Sequence, residues 1–180
     1  MVERQEMQRP LCRAYHFTHS QNLFEIENGG GHIVFRNGKM AVNEPGLIPR
    51  GDQLGEKPYI FCFMNSPYPP EWRQDPELYK FLLKVKGGTD LQLIWFDVYP
   101  EDKPQIIDHG VLGRKVNGDG NLNMVDRESV LDYFNTQAPL SEYRGGFRLP
   151  ELLIPGDISY NRLNFVLQEK VVSFIDGILK

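Results

Sequence analysis

The sequence contains little cysteine and no large excess of charge of either sign. Two cysteines, Cys12 and Cys62, occur among 180 residues, which is too few for a multi-disulfide framework or a four-thiolate zinc site. We therefore expect free thiols in a reducing compartment. The 20 Lys and Arg residues against 24 Asp and Glu give a formal charge of −4. This balance argues against a duplex binder that relies on bulk positive charge, but it allows a local basic groove.

Long hydrophobic runs are also missing. The longest apolar stretches, such as 91–98, are too short and too interrupted to cross a bilayer. The first ten residues are charged and lack the apolar segment of a secretory signal. A composition of 41% apolar and 24% charged residues is typical of a globular chain. The sequence therefore predicts one cytoplasmic domain over residues 1–180, without membrane contact.

Several well-known chemical motifs do not occur. The chain has no Walker-type phosphate loop, no G-x-G-x-x-G after a strand, no G-x-S-x-G and no H-E-x-x-H. His16 and His19 stand three residues apart, but on an extended strand this spacing directs the two rings to opposite faces. No Cys or carboxylate ligand follows nearby. We therefore expect no metal site.

The chain is rich in turn residues that separate short apolar runs. With 17 Gly and 13 Pro, this pattern predicts many strands and few helices, without regular βα alternation, and so the α+β class. We expect strands over 11–18, 32–35, 59–63, 91–99, 151–154 and 170–175. Helices are predicted after Ser20, Asp75 and Asp126, each residue being a good N-cap. The helix after Asp75 should bury Leu78, Leu82 and Phe81. The helix after Asp126 should bury Val130, Leu131, Tyr133 and Phe134.

Three distant segments carry polar residues within or beside apolar strands. They read Tyr-His-Phe-Thr-His at 15–19, Lys-Pro-Tyr-Ile-Phe-Cys-Phe at 57–63 with Asn-Ser-Pro-Tyr at 65–68, and Arg-Leu-Pro-Glu-Leu-Leu-Ile at 148–154. Buried polar groups need partners, and a ligand is one possible partner.

In this order the segments resemble the ADP-ribosyltransferase superfamily, most closely the DarT-like DNA ADP-ribosyltransferases. The resemblance implies an ADP-ribosyltransferase-like split antiparallel β-sheet core with flanking short helices. It also implies NAD as the co-substrate. One departure concerns the second segment, where the family usually shows Ser/Asn-Pro-Met-Leu-Tyr and this chain has Ser-Pro-Tyr-Pro-Pro. The ring that stacks on nicotinamide is therefore open between Tyr68 and Tyr79.

The resemblance assigns roles to residues of all three segments. Glu151 is the expected catalytic carboxylate, since it would stabilise the oxocarbenium-like ribose and bond its 2′-hydroxyl. Arg50 is the expected second catalytic residue, clamping the pyrophosphate or the incoming nucleophile, and its assignment rests on spacing. The expected NAD-binding residues are His16, Thr18, Tyr59, Ser66 and Tyr68.

The loop before Glu151 is the expected acceptor site. Its residues Tyr143, Arg144 and Arg148 combine cationic and aromatic side chains, which suit phosphate contact and base stacking on single-stranded DNA. Such a toxin-like enzyme would be paired with an antitoxin or a macrodomain-type hydrolase.

Simpler interpretations of the same residues remain open. His16 could be a satisfied histidine of the core or surface, Glu151 a charge at a strand edge, and the loop arginines partners in surface ion pairs. The alternative functions are the same fold acting on RNA or protein, and a non-catalytic nucleotide-binding or partner-binding module.

Overall fold

The computed structural model describes nine parts of the chain. These are residues 9–19, 32–33, 59–74, 82–83, 91–111, 114–115, 124–125, 132–155 and 158–178. Arg50, Tyr79, the helix expected after Ser20 and the N-terminal turns of the other two expected helices lie outside them.

The described residues form an open sheet of seven strands, in the order β11-β4-β1-β3-β9-β5-β8. Every neighbouring pair is antiparallel. The strands of this sheet are β1 (Cys12–His19), β3 (Tyr59–Met64), β4 (Leu91–Val98), β5 (Gln105–Asp108), β8 (Ala138–Pro139), β9 (Pro150–Pro155) and β11 (Asn164–Phe165). Two small ribbons pair β2 (His32–Ile33) with β10 (Ile158–Ser159), and β6 (Arg114–Lys115) with β7 (Met124–Val125). The predicted α+β class is confirmed.

The sheet has two halves that meet at β3. The first four residues of β3, Tyr59 to Cys62, pair with β9, whereas Phe63 and Met64 pair with Tyr15 and Ala14 of β1. The β1–β4 ladder, by contrast, runs over eight residue pairs. Beyond Tyr15, β1 therefore continues to pair with β4, whereas Tyr59 to Cys62 of β3 pair with β9. We call the point where β1 and β3 diverge, next to Tyr15 and Phe63, the joint.

Apolar side chains cover both faces of the sheet, because strand residues alternate between faces. One face carries a cluster that includes Ala14, Cys62, Ile94, Phe96 and Leu152. The other face carries two clusters. The first includes Tyr68, Trp72, Leu82, Leu93 and Ile175, and the second comprises Ile107, Tyr133 and Leu153.

The C-terminal segment corrects one prediction. The run 170–175 was expected to be a strand, but it lies within the helix α1 (Gln168–Ile178). Val171 and Ile175 are fully buried one turn apart, whereas Phe174 is 49% exposed. This spacing of four is the period of a helix, and it outweighs the β-branched composition that favoured a strand.

The other two predicted helices agree with the described residues. Residues 82–83 and 132–135 are helical, and both Leu82 and Tyr133 are buried as expected. Phe134 is half-buried, because its ring lies at the edge of the Ile107, Tyr133 and Leu153 cluster. Leu78, Phe81, Val130 and Leu131 lie outside the described residues. Among the helices of the described ranges, none has the length and apolar character that a membrane crossing requires.

Candidate functional site

Glu151 lies near the start of β9, opposite Ile107 of β5. Its side chain is 15% exposed, so the carboxylate is held by the protein and still reachable. One oxygen, Oε2, accepts two hydrogen bonds, from the Tyr133 hydroxyl at 2.7 Å and from His109 Nδ1 at 3.3 Å. Both donors therefore bind the same oxygen, and together they fix the direction in which Oε1 points.

Tyr133 is a permanent donor to this carboxylate. The residue is fully buried in the helical segment 132–135, against Ile107 and Leu153. Burial, and then the Glu151 charge, raise the pKa of Tyr133 well above its usual range. The phenol stays protonated, and its short hydrogen bond to a charged acceptor is of the strong kind.

His109 is fixed from two directions. It follows β5 directly as the first residue of a 3-10 helix, and its backbone N–H donates to the Leu149 carbonyl at 2.8 Å. The ring packs against Trp72 with centroids 4.8 Å apart. Trp72 in turn donates from Nε1 to the Pro150 carbonyl at 3.1 Å. Packing against the Trp72 ring and backbone contacts thus hold the imidazole beside Glu151.

His16 lies at the joint, where the β1–β3 pairing has ended. Its Nδ1 is 2.8 Å from the carbonyl oxygen of Phe61 on β3. A carbonyl only accepts, so Nδ1 carries the proton and Nε2 is the acceptor nitrogen. Desolvation lowers the pKa of His16 from 6.5 to about 4, although the Phe61 carbonyl and the Glu151 charge act in the opposite direction. The ring is therefore neutral at pH 7.

The strand register relates His16 to Glu151. His16 pairs with Ile94, on the face of the Ala14 and Phe96 cluster, whereas Glu151 pairs with Ile107, on the other face. The two side chains thus start from opposite faces of the sheet, with β3 between their strands. They are still near enough for the carboxylate to raise the pKa of the imidazole.

The other expected NAD-binding residues have separate surroundings. Thr18 is buried, with 4% of its surface exposed. The Tyr59 hydroxyl accepts a hydrogen bond from Gln137 Nε2 at 3.2 Å. The Ser66 hydroxyl accepts from the Tyr68 backbone N–H at 3.1 Å, closing a tight turn.

Tyr68 is buried against aromatic rings. Its ring centroid lies 6.1 Å from Phe17 and 6.5 Å from Phe174. Within the described ranges its hydroxyl has no hydrogen-bond partner, and burial raises the pKa of the phenol. This burial argues for a role in packing beside any role in binding.

The expected acceptor loop, residues 142–148, lies at the surface, and Arg144 Nη1 donates to the carbonyls of Ser141 and Tyr143 at 2.8 and 3.1 Å. Arg144 and Arg148 are exposed. The Tyr143 and Phe147 rings lie 4.8 Å apart, and the Tyr143 hydroxyl accepts from the Phe147 N–H at 3.4 Å. Gly145 and Gly146 have φ angles of +94° and +98°, a conformation that favours glycine. The loop is therefore a compact turn with an exposed cationic and aromatic surface.

The two cysteines of the chain are buried free thiols. Burial, with lesser effects of Asp102 and Asp97, raises the pKa of Cys12 to about 11, and burial raises that of Cys62 still more clearly. Both thiols stay protonated and are poor nucleophiles. Across the described ranges, no three His, Cys, Asp or Glu side chains are grouped so that they could hold a metal ion.

Sequence reasoning missed His109 and the role of Tyr133. The Tyr133 signal was available, because a tyrosine predicted to be buried needs a partner for its hydroxyl. His109 follows β5, a strand that was not predicted, so nothing placed this residue next to β9.

Comparison with known proteins gives no assignment: no family model, no curated protein and no solved structure matches the chain.

Proposed function

We propose that this chain is an NAD-dependent mono-ADP-ribosyltransferase that modifies a base in single-stranded DNA. The observation that carries the proposal is the Glu151 carboxylate, held through one oxygen and 15% exposed. It follows directly on a loop with two exposed arginines. The passage of β3 from one half of the sheet to the other supports the ADP-ribosyltransferase-like split sheet that the proposal includes.

The proposed reaction replaces one bond to the ribose by another. The bond between nicotinamide and ribose C1′ breaks, and its electron pair leaves with nicotinamide. The acceptor atom then bonds C1′ and loses its proton. Positive charge develops on the ribose in between, and a carboxylate stabilises it. Tyr133 and His109 hold Oε2 of Glu151, which would leave Oε1 to bond the ribose 2′-hydroxyl.

His16 is proposed to bind the ribose as a neutral imidazole. Its Nδ1–H is engaged by the Phe61 carbonyl, so Nε2 would accept a hydrogen bond from a ribose hydroxyl. Thr18 and Ser66 are proposed to contact the nicotinamide amide, and Tyr59 and Tyr68 the nicotinamide ring.

Arg50 is proposed to clamp the pyrophosphate or the acceptor with its planar set of donors. In the acceptor loop, Arg144 and Arg148 would contact phosphates, and Tyr143 would stack on a base. Such a modification of DNA would be toxic, and an antitoxin or a macrodomain-type hydrolase is the proposed neutralising partner.

The test is incubation of the full chain with labelled NAD and single-stranded oligonucleotides that together offer all four bases. We expect label on DNA, with Glu151→Gln reducing the rate by about 10²- to 10⁴-fold. Glu169→Gln is the matched control, because Glu169 is an exposed acid on α1, outside the proposed site. It should change the rate by less than about twofold.

The other outcomes each replace part of the proposal. Label on RNA or on protein instead of DNA would retain the enzyme class and overturn the acceptor. If NAD is bound but not consumed, and Glu151→Gln binds it equally well, the chain is a non-catalytic binding module. In cells, toxicity on expression that Glu151→Gln relieves would support the toxin assignment.

A further inference from the structure

Asp108, the last residue of β5, has a buried carboxylate that accepts three backbone N–H groups. Its side chain is 8% exposed. Oδ1 accepts from Gly110 N at 2.9 Å and from Leu149 N at 2.9 Å, and Oδ2 accepts from Arg148 N at 3.1 Å. A buried carboxylate is tolerated only when such donors replace the lost water. Two of these donors belong to the end of the acceptor loop and its junction with β9.

Gly110 allows the loop to approach this closely. A Cβ atom at position 110 would lie 2.7 Å from the Cβ of Arg148 and 2.9 Å from Oδ1 of Asp108. Both distances are too short for non-bonded contact, so any side chain there would push the loop away. The close packing at Gly110 and the hydrogen bonds to the Asp108 carboxylate therefore both determine the position of residues 148 and 149.

The same turn also supports the partners of Glu151. The Asp108 backbone N–H donates to Thr136 Oγ1 at 2.9 Å, and this hydroxyl donates to the Tyr133 carbonyl at 2.7 Å. His109 bonds Glu151 through its ring. The end of β5 thus connects to the loop through the Asp108 side chain and to the carboxylate through His109 and Tyr133.

We propose that Asp108 is a positioning residue that, together with Gly110, fixes the acceptor loop over β9 and so determines the affinity for the acceptor. We call Asp108 and Gly110 the loop clamp. This inference rests on the proposed function. The clamp binds amides of residues 148 and 149 rather than the Glu151 side chain, so its loss should affect acceptor binding more than cleavage of NAD.

The kinetic test separates these two effects. In Asp108→Asn, the amide nitrogen replaces one carboxylate oxygen, and one of the three N–H groups then faces a donor. We expect the KM for a single-stranded oligonucleotide to rise about tenfold, the equivalent of one such hydrogen bond. NAD hydrolysis without DNA should change by less than about twofold. Asp132→Asn, which changes an exposed acid in the helical segment 132–135, is the matched control and should alter neither.

A second measurement does not depend on activity. Hydrogen exchange at the amides of Gly110, Arg148 and Leu149 should speed up about tenfold or more in Asp108→Asn and in Gly110→Ala. The amides of β4, such as Ile94, should keep their rates and show that the variants are folded. Gly110→Ala keeps the carboxylate, so a faster exchange there traces the effect to loop position.

The outcomes distinguish the clamp from the proposed function. If the wild-type chain transfers nothing from NAD, the proposed function fails, and faster exchange in both variants would still support the clamp while its link to an acceptor is overturned. Unchanged exchange and unchanged KM in both variants would overturn the clamp even if the enzyme is active. A fall in NAD hydrolysis equal to the fall in DNA modification would overturn the assignment to acceptor affinity.

Discussion

The two halves of the sheet are held together in different ways. In the half β11-β4-β1, eight residue pairs join β1 to β4, and apolar residues such as Ile94 and Phe96 are fully buried between the strands and their neighbours. In the half β3-β9-β5-β8, the β5–β9 ladder has four pairs and ends at Asp108 and Pro150. Beyond this end, side-chain carboxylates, hydroxyls and an imidazole form many of the hydrogen bonds that connect the segments.

This difference indicates where chemistry can be placed in the molecule. A backbone ladder with apolar side chains gives stiffness but few groups that a ligand could bind; His16 and Thr18 on β1 are the proposed exceptions. At the end of β5 and β9, each polar group must find a partner because unpaired burial is costly. Those partners orient Glu151 and the acceptor loop together.

The largest effect should come from the half β11-β4-β1, which we call the apolar half. Ile94→Ala removes a fully buried side chain at the centre of β4. We expect the free energy of unfolding to fall by about 2–5 kcal/mol, from lost burial and a cavity. Urea denaturation measures it. Leu11→Ala, at a position 47% exposed, should cost well under 1 kcal/mol, within the roughly 0.5 kcal/mol usual for surface changes. A small loss in Ile94→Ala would mean that the apolar half is not the rigid one.

His16 should make stability depend on pH at the joint. The pKa of His16 is lowered from 6.5 to about 4 in the folded chain. Because the imidazole binds a proton more readily in the unfolded chain, the free energy of unfolding falls as the pH decreases from 6.5 toward 4. Above pH 6.5 this loss is absent. The loss is about 3 kcal/mol at pH 4.

His16→Gln provides the control for this pH effect, because glutamine can donate to the Phe61 carbonyl without titrating. Thermal melts between pH 4 and pH 8 should show a shallower acid decline in this variant than in the wild type. Parallel pH curves would contradict the assignment of a neutral imidazole in the folded chain.

A change confined to the half β3-β9-β5-β8, which we call the polar half, should affect activity more than stability. Tyr133→Phe removes one donor to Glu151 Oε2 and keeps the ring. We expect about 1–2 kcal/mol lower stability and about tenfold slower transfer from NAD, since one lost hydrogen bond of this kind corresponds to that factor. Phe134→Leu, in the same helical segment, should leave transfer nearly unchanged. Equal transfer rates for Tyr133→Phe and the wild type would show that His109 alone orients the carboxylate.

The smallest effect should come from a polar contact far from Glu151. Arg162 donates to both carboxylate oxygens of Asp102, at 2.8 and 2.7 Å, and to the Asp97 carbonyl. Arg162→Lys cannot reproduce this geometry, and stability should fall by about 1 kcal/mol. Activity should stay within about twofold of the wild type. A larger loss of activity than in Tyr133→Phe would reverse the comparison between the halves.

Much of the sheet could be predicted from the sequence. The strands β1, β3, β4 and β9 follow apolar runs bounded by Gly, Pro and Asn, and these signals are local. The error at 170–175 arose because a short β-branched run suits a strand and a buried helix face equally. The strand β5 is four residues long and was not predicted.

The candidate site was less accessible to sequence reasoning. Glu151 and His16 stand within recognisable segments, but the groups that hold them come from elsewhere in the chain. Phe61, His109 and Tyr133 reach them through strand register and tertiary packing. No spacing along the sequence encodes those pairings.

The hydrogen bonds between Asp108 and main-chain amides have a consequence for how the sequence of this protein could vary. The bonded N–H groups belong to Gly110, Arg148 and Leu149, so these hydrogen bonds do not depend on the side chains at 143, 144 and 147. Under the proposed function, exchanging these side chains would change the acceptor that the loop recognises, with the Glu151 carboxylate left in place. Substituting residues 143, 144 and 147 together would then be a practical route to altered selectivity.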